Sequence, residues 1–264
     1  MTVAPKSENE AQRLQTLKDF EILDSGEEIE FNELVALASK ICESEISLIS
    51  LIDESRQWFK AKVGLDTNET ERDLAFCAHA IHDDKIMEVQ DTHNDKRFFD
   101  NPLVLNAPRI RFYAGMPLVT REGYRLGTLC VIDSKPKQLN DYQRFALKVL
   151  ANQAIKLMEL RIRNLELQRS MEIRNRLLSI MAHDVKGPLK SLALLAGYMK
   201  EDAMSVEETI YAATEIEKVA NRTGELTENI LNWAKNIEYR YGIMAEVLDL
   251  GNILNEIQEL YATM

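Results

Sequence analysis

Phe112-Tyr-Ala-Gly-Met-Pro-Leu-Val-Thr120, then Arg121-Glu-Gly123, then Tyr124-Arg-Leu-Gly-Thr-Leu-Cys-Val-Ile-Asp133 decide how the first half of this chain folds. Two apolar runs of strand length flank three residues that include a glycine, a common hairpin connection. Working upstream, Glu45 to Asp53 is rich in Ile and Leu and reads as a buried strand. Trp58 to Leu65 reads as a second strand and Ile86 to Asp91 as a third. Helical spacing marks Ala11 to Phe20, Glu28 to Cys42 and the short Leu74 to Ile81. Downstream, Asn140 is placed to cap a following helix. Helices on either side of mixed strands predict an α+β domain over 1–140, a sheet flanked by helices.

The chain has 264 residues, 45% of them hydrophobic and 28% charged, with a formal net charge of -11. That length suits about two domains, and the composition excludes a disordered, collagen-like or disulfide-stapled chain. An acidic balance argues against nucleic acid as a partner, because phosphate contacts need a basic face. No apolar run approaches the roughly 18–20 residues of a membrane span. The first ten residues lack the apolar core of a secretory signal, so a cytoplasmic protein is expected. Cys42, Cys77 and Cys130 are far apart and odd in number. They read as buried reduced thiols, and no metal site is expected.

Beyond residue 140 a heptad takes over. The seam runs Leu150, Gln153, Leu157, Leu160, Asn164, Leu167, Met171, Arg174, Leu178, Met181, Val185, Pro188, Leu192, Leu195, Met199 without a break in register. It predicts a coiled coil over 141–176 that runs into a helical hairpin over 177–240. The alternative is one amphipathic helix packed on its own domain. Glu201 to Val206 breaks the helix, and Ser205 with Glu208 forms a capping-box pattern. A second seam follows through Ala212, Ile216, Val219, Thr223, Leu226, Ile230, Trp233 and Ile237. A lone hairpin has little core, so two hairpins in a homodimeric four-helix bundle are expected.

His183 falls between seam positions Met181 and Val185 and is expected to face water. Asp184 follows it, and Gly187 and Pro188 lie one turn on. Proline lacks the N–H that the carbonyl of Asp184 would accept, so the helix is expected to bend there. A neutral imidazole is a nucleophile near pH 7, and an adjacent carboxylate can fix its tautomer. The pattern suits phosphoryl transfer. A metal-dependent phosphohydrolase using the His–Asp doublet would need further ligands, and the second hairpin helix holds no histidine.

Ser179-Ile-Met-Ala-His-Asp-Val-Lys-Gly-Pro-Leu189 resembles the phosphoacceptor box of bacterial sensor histidine kinases, and the resemblance extends over about Leu177 to Asn236. It implies that His183 is the phosphoacceptor, Asp184 its acid/base partner and Lys186 a phosphate-orienting cation, with Pro188 shaping the helix. It further implies ATP with Mg as phosphodonor and the receiver domain of a response regulator as acceptor. Gly187 stands where the family's phosphatase-competent members carry Thr or Asn.

The first domain resembles a GAF sensor domain through Ile22-Leu-Asp24, Arg56-Gln-Trp-Phe-Lys60, Ala75-Phe-Cys-Ala-His-Ala-Ile81, Phe112-Tyr-Ala-Gly-Met-Pro-Leu118 and Gly127-Thr-Leu-Cys-Val-Ile-Asp133. The resemblance implies a small-molecule site of unspecified ligand, for which Trp58, Cys77, His79, Arg111 and Tyr113 are candidates. His79 and His82 share a helix face but read as packed side chains rather than a metal or haem box. Residues 241–264 resemble only the opening strand and helix of the kinase ATP-binding domain, so this chain is not expected to phosphorylate itself unaided. The reading is a GAF input coupled to phosphorylation of His183. The alternative is a dimeric GAF module without enzymatic activity, phosphorylated by a separate kinase.

Overall fold

The computed structural model describes residues 1–199 and 205–238. The segment 241–264 lies outside the described residues, as does most of the expected break between the hairpin helices. The chain divides into two compact units, the first Met1–Arg169 and the second beginning at Ser170.

The first unit is built on a six-stranded antiparallel sheet of order β3-β2-β1-β6-β5-β4. Its strands are β1 (Ile46–Ile52), β2 (Arg56–Val63), β3 (Glu69–Glu71), β4 (Met87–Val89), β5 (Phe112–Val119) and β6 (Arg125–Asp133). The hairpin read from the sequence is β5–β6, with Phe112 opposite Asp133 and Leu118 opposite Gly127. The strand β3 was not foreseen: three polar residues carry no apolar period, and only pairing of Glu69–Glu71 with Arg56–Trp58 makes them a strand. β1 is buried along its whole length because helices cover both faces of the sheet.

On one face lie α1 (Glu10–Asp19), α2 (Ile29–Cys42) and the start of α5 (Asp141–Tyr198). Leu17, Phe31, Val35 and Leu147 pack there against Ile49, Trp58, Phe112 and Leu129. The other face carries α3 (Phe76–Ala80) and α4 (Pro102–Leu105). There Phe76, Cys77, Phe98 and Val104 meet Leu48, Tyr113 and Cys130. The stretch expected as one helix, Leu74 to Ile81, is a 3-10 turn over Arg72–Leu74 followed by α3. Gly127 lets the central strands approach: a Cβ there would lie 1.9 Å from the carbonyl oxygen of Ser50.

Asn140 caps α5 as expected. Its side chain accepts from the Gln143 N–H at 2.9 Å, and Gln143 Oε1 accepts from the Asn140 N–H at 3.0 Å. The first turns of α5 correct the seam. Leu150 is buried, but Gln153 and Leu160 are exposed, and the buried face runs instead through Leu147, Ala151, Ala154, Ile155 and Met158. A helix lying on its own sheet keeps the 3.6-residue period, so here the helix packs on its domain rather than in a coiled coil. Arg161 donates to Glu28 Oε1 at 2.9 Å and to the Glu21 carbonyl at 2.9 Å, tying the helix to the loop before α2.

In the second unit α5 continues through Pro188 to Tyr198, and α6 spans Val206–Glu238. The capping box is formed: Ser205 Oγ accepts from the Glu208 N–H, and Glu208 Oε2 accepts from the Ser205 N–H at 2.8 Å. From Met181 onward the heptad residues Met181, Val185, Pro188, Leu192, Leu195 and Met199 are all half-buried. On α6, Ala212 is buried and Ile216, Val219, Thr223, Leu226 and Ile230 are half-buried.

Candidate functional site

His183 stands on α5 with its side chain 89% exposed, as its place outside the seam requires. Its Nδ1 lies 2.9 Å from Asp184 Oδ1. A carboxylate only accepts, so Nδ1 carries the proton and Nε2 keeps its lone pair for chemistry. One turn on, Pro188 removes the donor for the Asp184 carbonyl. Ser191 supplies a different local bond, donating its hydroxyl to the Gly187 carbonyl at 3.3 Å.

His183, Asp184, Gly187 and Pro188 line one wall of an open groove of about 610 Å³. The other wall is α6, with Val219, Arg222, Thr223 and Leu226. Thr223 is spent on its own helix, donating to the Val219 carbonyl at 2.6 Å. Arg222 brings a guanidinium to the groove, a fork suited to phosphate oxygens. Nothing in the sequence pattern marked Arg222, because only the packing of the hairpin places it across from His183. Lys186 is exposed and does not line the groove.

The five ligand candidates of the first unit do not form one site. Trp58 packs in the core on the α1–α2 face of the sheet. Arg111 forms a two-bond pair with Asp91 at 3.0 and 2.9 Å. That pairing holds the Asp91 carboxyl below its ordinary range. His79 Nε2 is 3.1 Å from the Thr2 carbonyl, and His82 Nε2 is 2.9 Å from that of Pro5, so both rings face the N-terminal segment. Burial pushes His79 down, against the hydrogen bond to the Thr2 carbonyl and with Arg97 adding to the fall.

Only Cys77 and Tyr113 meet, on the wall of a largely apolar cavity of about 310 Å³. Leu48, Phe59, Phe76 and Ile132 supply much of its surface. Gln57 and Thr70, facing residues of β2 and β3, also line this cavity, and their Oε1 and Oγ1 atoms are buried with no protein partner. Neither residue was marked by the sequence, where each reads as an ordinary polar strand position.

Behind the cavity the sulfurs of Cys77 and Cys130 are 3.7 Å apart. Tyr113 donates its hydroxyl to Cys77 Sγ at 3.3 Å. That phenol occupies the space a Cβ of residue 115 would fill, at 2.1 Å, which accounts for Gly115. Burial by itself would push the Cys77 thiol up, but hydrogen bonding with Cys130, Ser50, Thr128 and Tyr113 brings it down. Cys130 is pushed well up by its bond to Cys77 and by burial, and Cys42, alone in the opposite core, is raised by burial to about 11. All three cysteines are free and buried, with Cys77 and Cys130 forming a pair that the sequence spacing did not suggest.

Residues 28–156 match the GAF domain family. A cyclic di-GMP phosphodiesterase of Pseudomonas aeruginosa is 45% identical over 137 residues, which is 52% of this chain and 23% of that protein. This chain therefore spans less than a quarter of that relative's length. Among solved structures, the blue-light absorbing PixJ GAF domain of Thermosynechococcus elongatus overlays with a TM-score of 0.45 at 16% identity, covering 60% of this chain and 95% of that one. A domain of a putative two-component sensor histidine kinase from Sinorhizobium meliloti overlays with a TM-score of 0.40 at 16% identity, covering 52% and 93%. The family match shows an α+β GAF domain over residues 28–156 of the first unit, and long helices follow it. Among the described residues no helix is long and apolar enough to cross a membrane.

Proposed function

We propose that this GAF-domain signalling module is the input and phosphoacceptor part of a two-component sensor histidine kinase. His183 receives phosphate and passes it to an aspartate on a response-regulator receiver domain. The observation that carries the reading is the exposed His183–Asp184 pair, bonded at 2.9 Å, at the mouth of a groove that also holds Arg222.

The chemistry follows from those groups. ATP with Mg, bound to a kinase catalytic domain, supplies the γ-phosphoryl group. Nε2 of His183 forms the new P–N bond as the bond to ADP breaks. Asp184 draws the proton on Nδ1 and stabilises the ring as it gains positive character. Arg222 can meet the phosphoryl oxygens from across the groove. The apolar residues left exposed on the hairpin, Leu178, Leu189, Leu194 and Ile210 among them, favour a homodimer in which a second copy covers them.

The test is to mix the purified chain with the isolated catalytic domain of a histidine kinase and ATP carrying labelled γ-phosphate. Acid-labile label on the wild type, lost in His183→Gln, is the expected result. Label that persists in His183→Gln, or label on serine or threonine alone, would overturn the assignment.

A further inference from the structure

The Cys77–Cys130 pair has the makings of a reactive site that the signalling chemistry at His183 does not use. Two thiols stand 3.7 Å apart, one of them on the wall of a cavity that opens to solvent. A phenol donates to that sulfur, and the strand beneath gives up a side chain at Gly115 so that the phenol can reach it. The cavity is largely apolar, with Gln57, Asp66, Thr67 and Thr70 as its polar lining residues beside Tyr113. Cys42 is buried in the opposite core and does not line this cavity.

We propose that Cys77 and Cys130 are a dithiol that reduces small organic hydroperoxides admitted by this cavity and closes into a disulfide. The apolar walls take the carbon part of the molecule. Cys77 thiolate attacks the terminal peroxide oxygen. The O–O bond breaks, the alkoxide leaves and collects the proton that Cys77 gave up, and Cys77 becomes a sulfenic acid. Cys130 then attacks that sulfur. Its proton and the hydroxyl leave as water, and the S–S bond forms. The sum is two thiols and one hydroperoxide giving one disulfide, one alcohol and one water.

The environment suits the order of attack. Hydrogen bonds favour the thiolate at Cys77, while Cys130 stays a thiol and acts second. Closing the sulfurs from 3.7 Å to the roughly 2.05 Å of a disulfide draws α3 toward β6 and reshapes the cavity wall. Oxidation and ligand binding would therefore be read at the same place.

The test uses the full chain, reduced and freed of reductant, exposed to cumene hydroperoxide or hydrogen peroxide at matched concentrations. The protein is then unfolded, alkylated and weighed. The expected result is a fall from three alkylated cysteines to one, with Cys42 retaining its label and a tryptic cross-link joining the peptides that hold Cys77 and Cys130. Cumene hydroperoxide should react at least about tenfold faster than hydrogen peroxide, and added dithiol should restore three labels. Cys130→Ser should stop at a sulfenic acid on Cys77 that dimedone traps, and the wild-type readout stands even where that variant fails to fold. Three labels after treatment, loss of label at Cys42 as fast as at Cys77, or equal rates with the two peroxides would each overturn the proposal.

Discussion

On α5, Leu147 and Met158 are fully buried and Leu150 and Ile155 nearly so, whereas Leu178, Leu189 and Leu194 of the same helix are each more than half exposed. The residue types are alike, yet the outcomes differ. In the GAF domain a twisted sheet already offers an apolar face, so the helix lies on it and buries a stripe with the 3.6-residue period. In the hairpin a single partner helix covers one side, leaving the seam half-buried and much apolar surface uncovered. The period of a pattern says that a face will be buried, and the available partner decides against what.

Substitutions can break this contrast at graded cost. The largest effect is expected from Gly127→Ala, whose Cβ would strike the Ser50 carbonyl and the Leu51 Cα, backbone that cannot give way. The GAF domain should lose more than about 3 kcal/mol, read as a collapse of its thermal transition, while hairpin helicity measured by circular dichroism changes little. Leu147→Ala comes next, removing a fully buried side chain from the α5–sheet contact for a loss of about 2–4 kcal/mol by urea unfolding.

Glu10 ranks third. It accepts from Arg13 at 2.7 Å and from Arg72 at 2.6 Å. Burial would raise its carboxyl, but these bonds outweigh that and lower it to about 2. A depressed carboxyl stabilises the fold above its unfolded value of 4.5 and loses that contribution as pH falls toward 2. Glu10→Gln should therefore cost about 2–3 kcal/mol at pH 7, and most of the difference from wild type should vanish near pH 2. Equal costs at both pH values would show that the pairs do not act through charge.

The smallest effect on folding belongs to the hairpin. Leu194→Ser should move the stability of the isolated chain by less than about 0.5 kcal/mol, because the side chain is already in water. In the proposed homodimer the same change should weaken self-association measurably in sedimentation. Unchanged association would mean that a different face, or no second copy, covers the hairpin.

Much of the site could be read before any coordinates. The offsets among His183, Asp184 and Pro188 place an exposed imidazole beside a carboxylate on one helix, since local geometry alone brings neighbours in sequence together. Asn140 and Ser205 were legible as caps for the same reason. Arg222 across the groove, the orphaned oxygens of Gln57 and Thr70, and the meeting of Cys77 with Cys130 were not legible. Each joins residues from separate elements, and no periodicity within one element reports on such a meeting. Trp58, Arg111 and His79 showed the converse: plausible ligand residues by type, dispersed by the sheet to a core, an ion pair and the N-terminal segment.

What the sequence determined unaided was local and periodic: the hairpin at 112–133, the long helices, the caps at Asn140 and Ser205, and the half-buried seam of α6 as far as Ile230 and of α5 from Met181 onward. These depend on side chains a few residues apart, whose relative positions the backbone dictates. The tertiary structure decided which face of α5 is buried beside the sheet, that Glu69–Glu71 becomes a strand, and that the sulfurs of Cys77 and Cys130 meet. Those outcomes depend on burial and pairing between distant segments, where the free energy belongs to the contact and not to either segment alone.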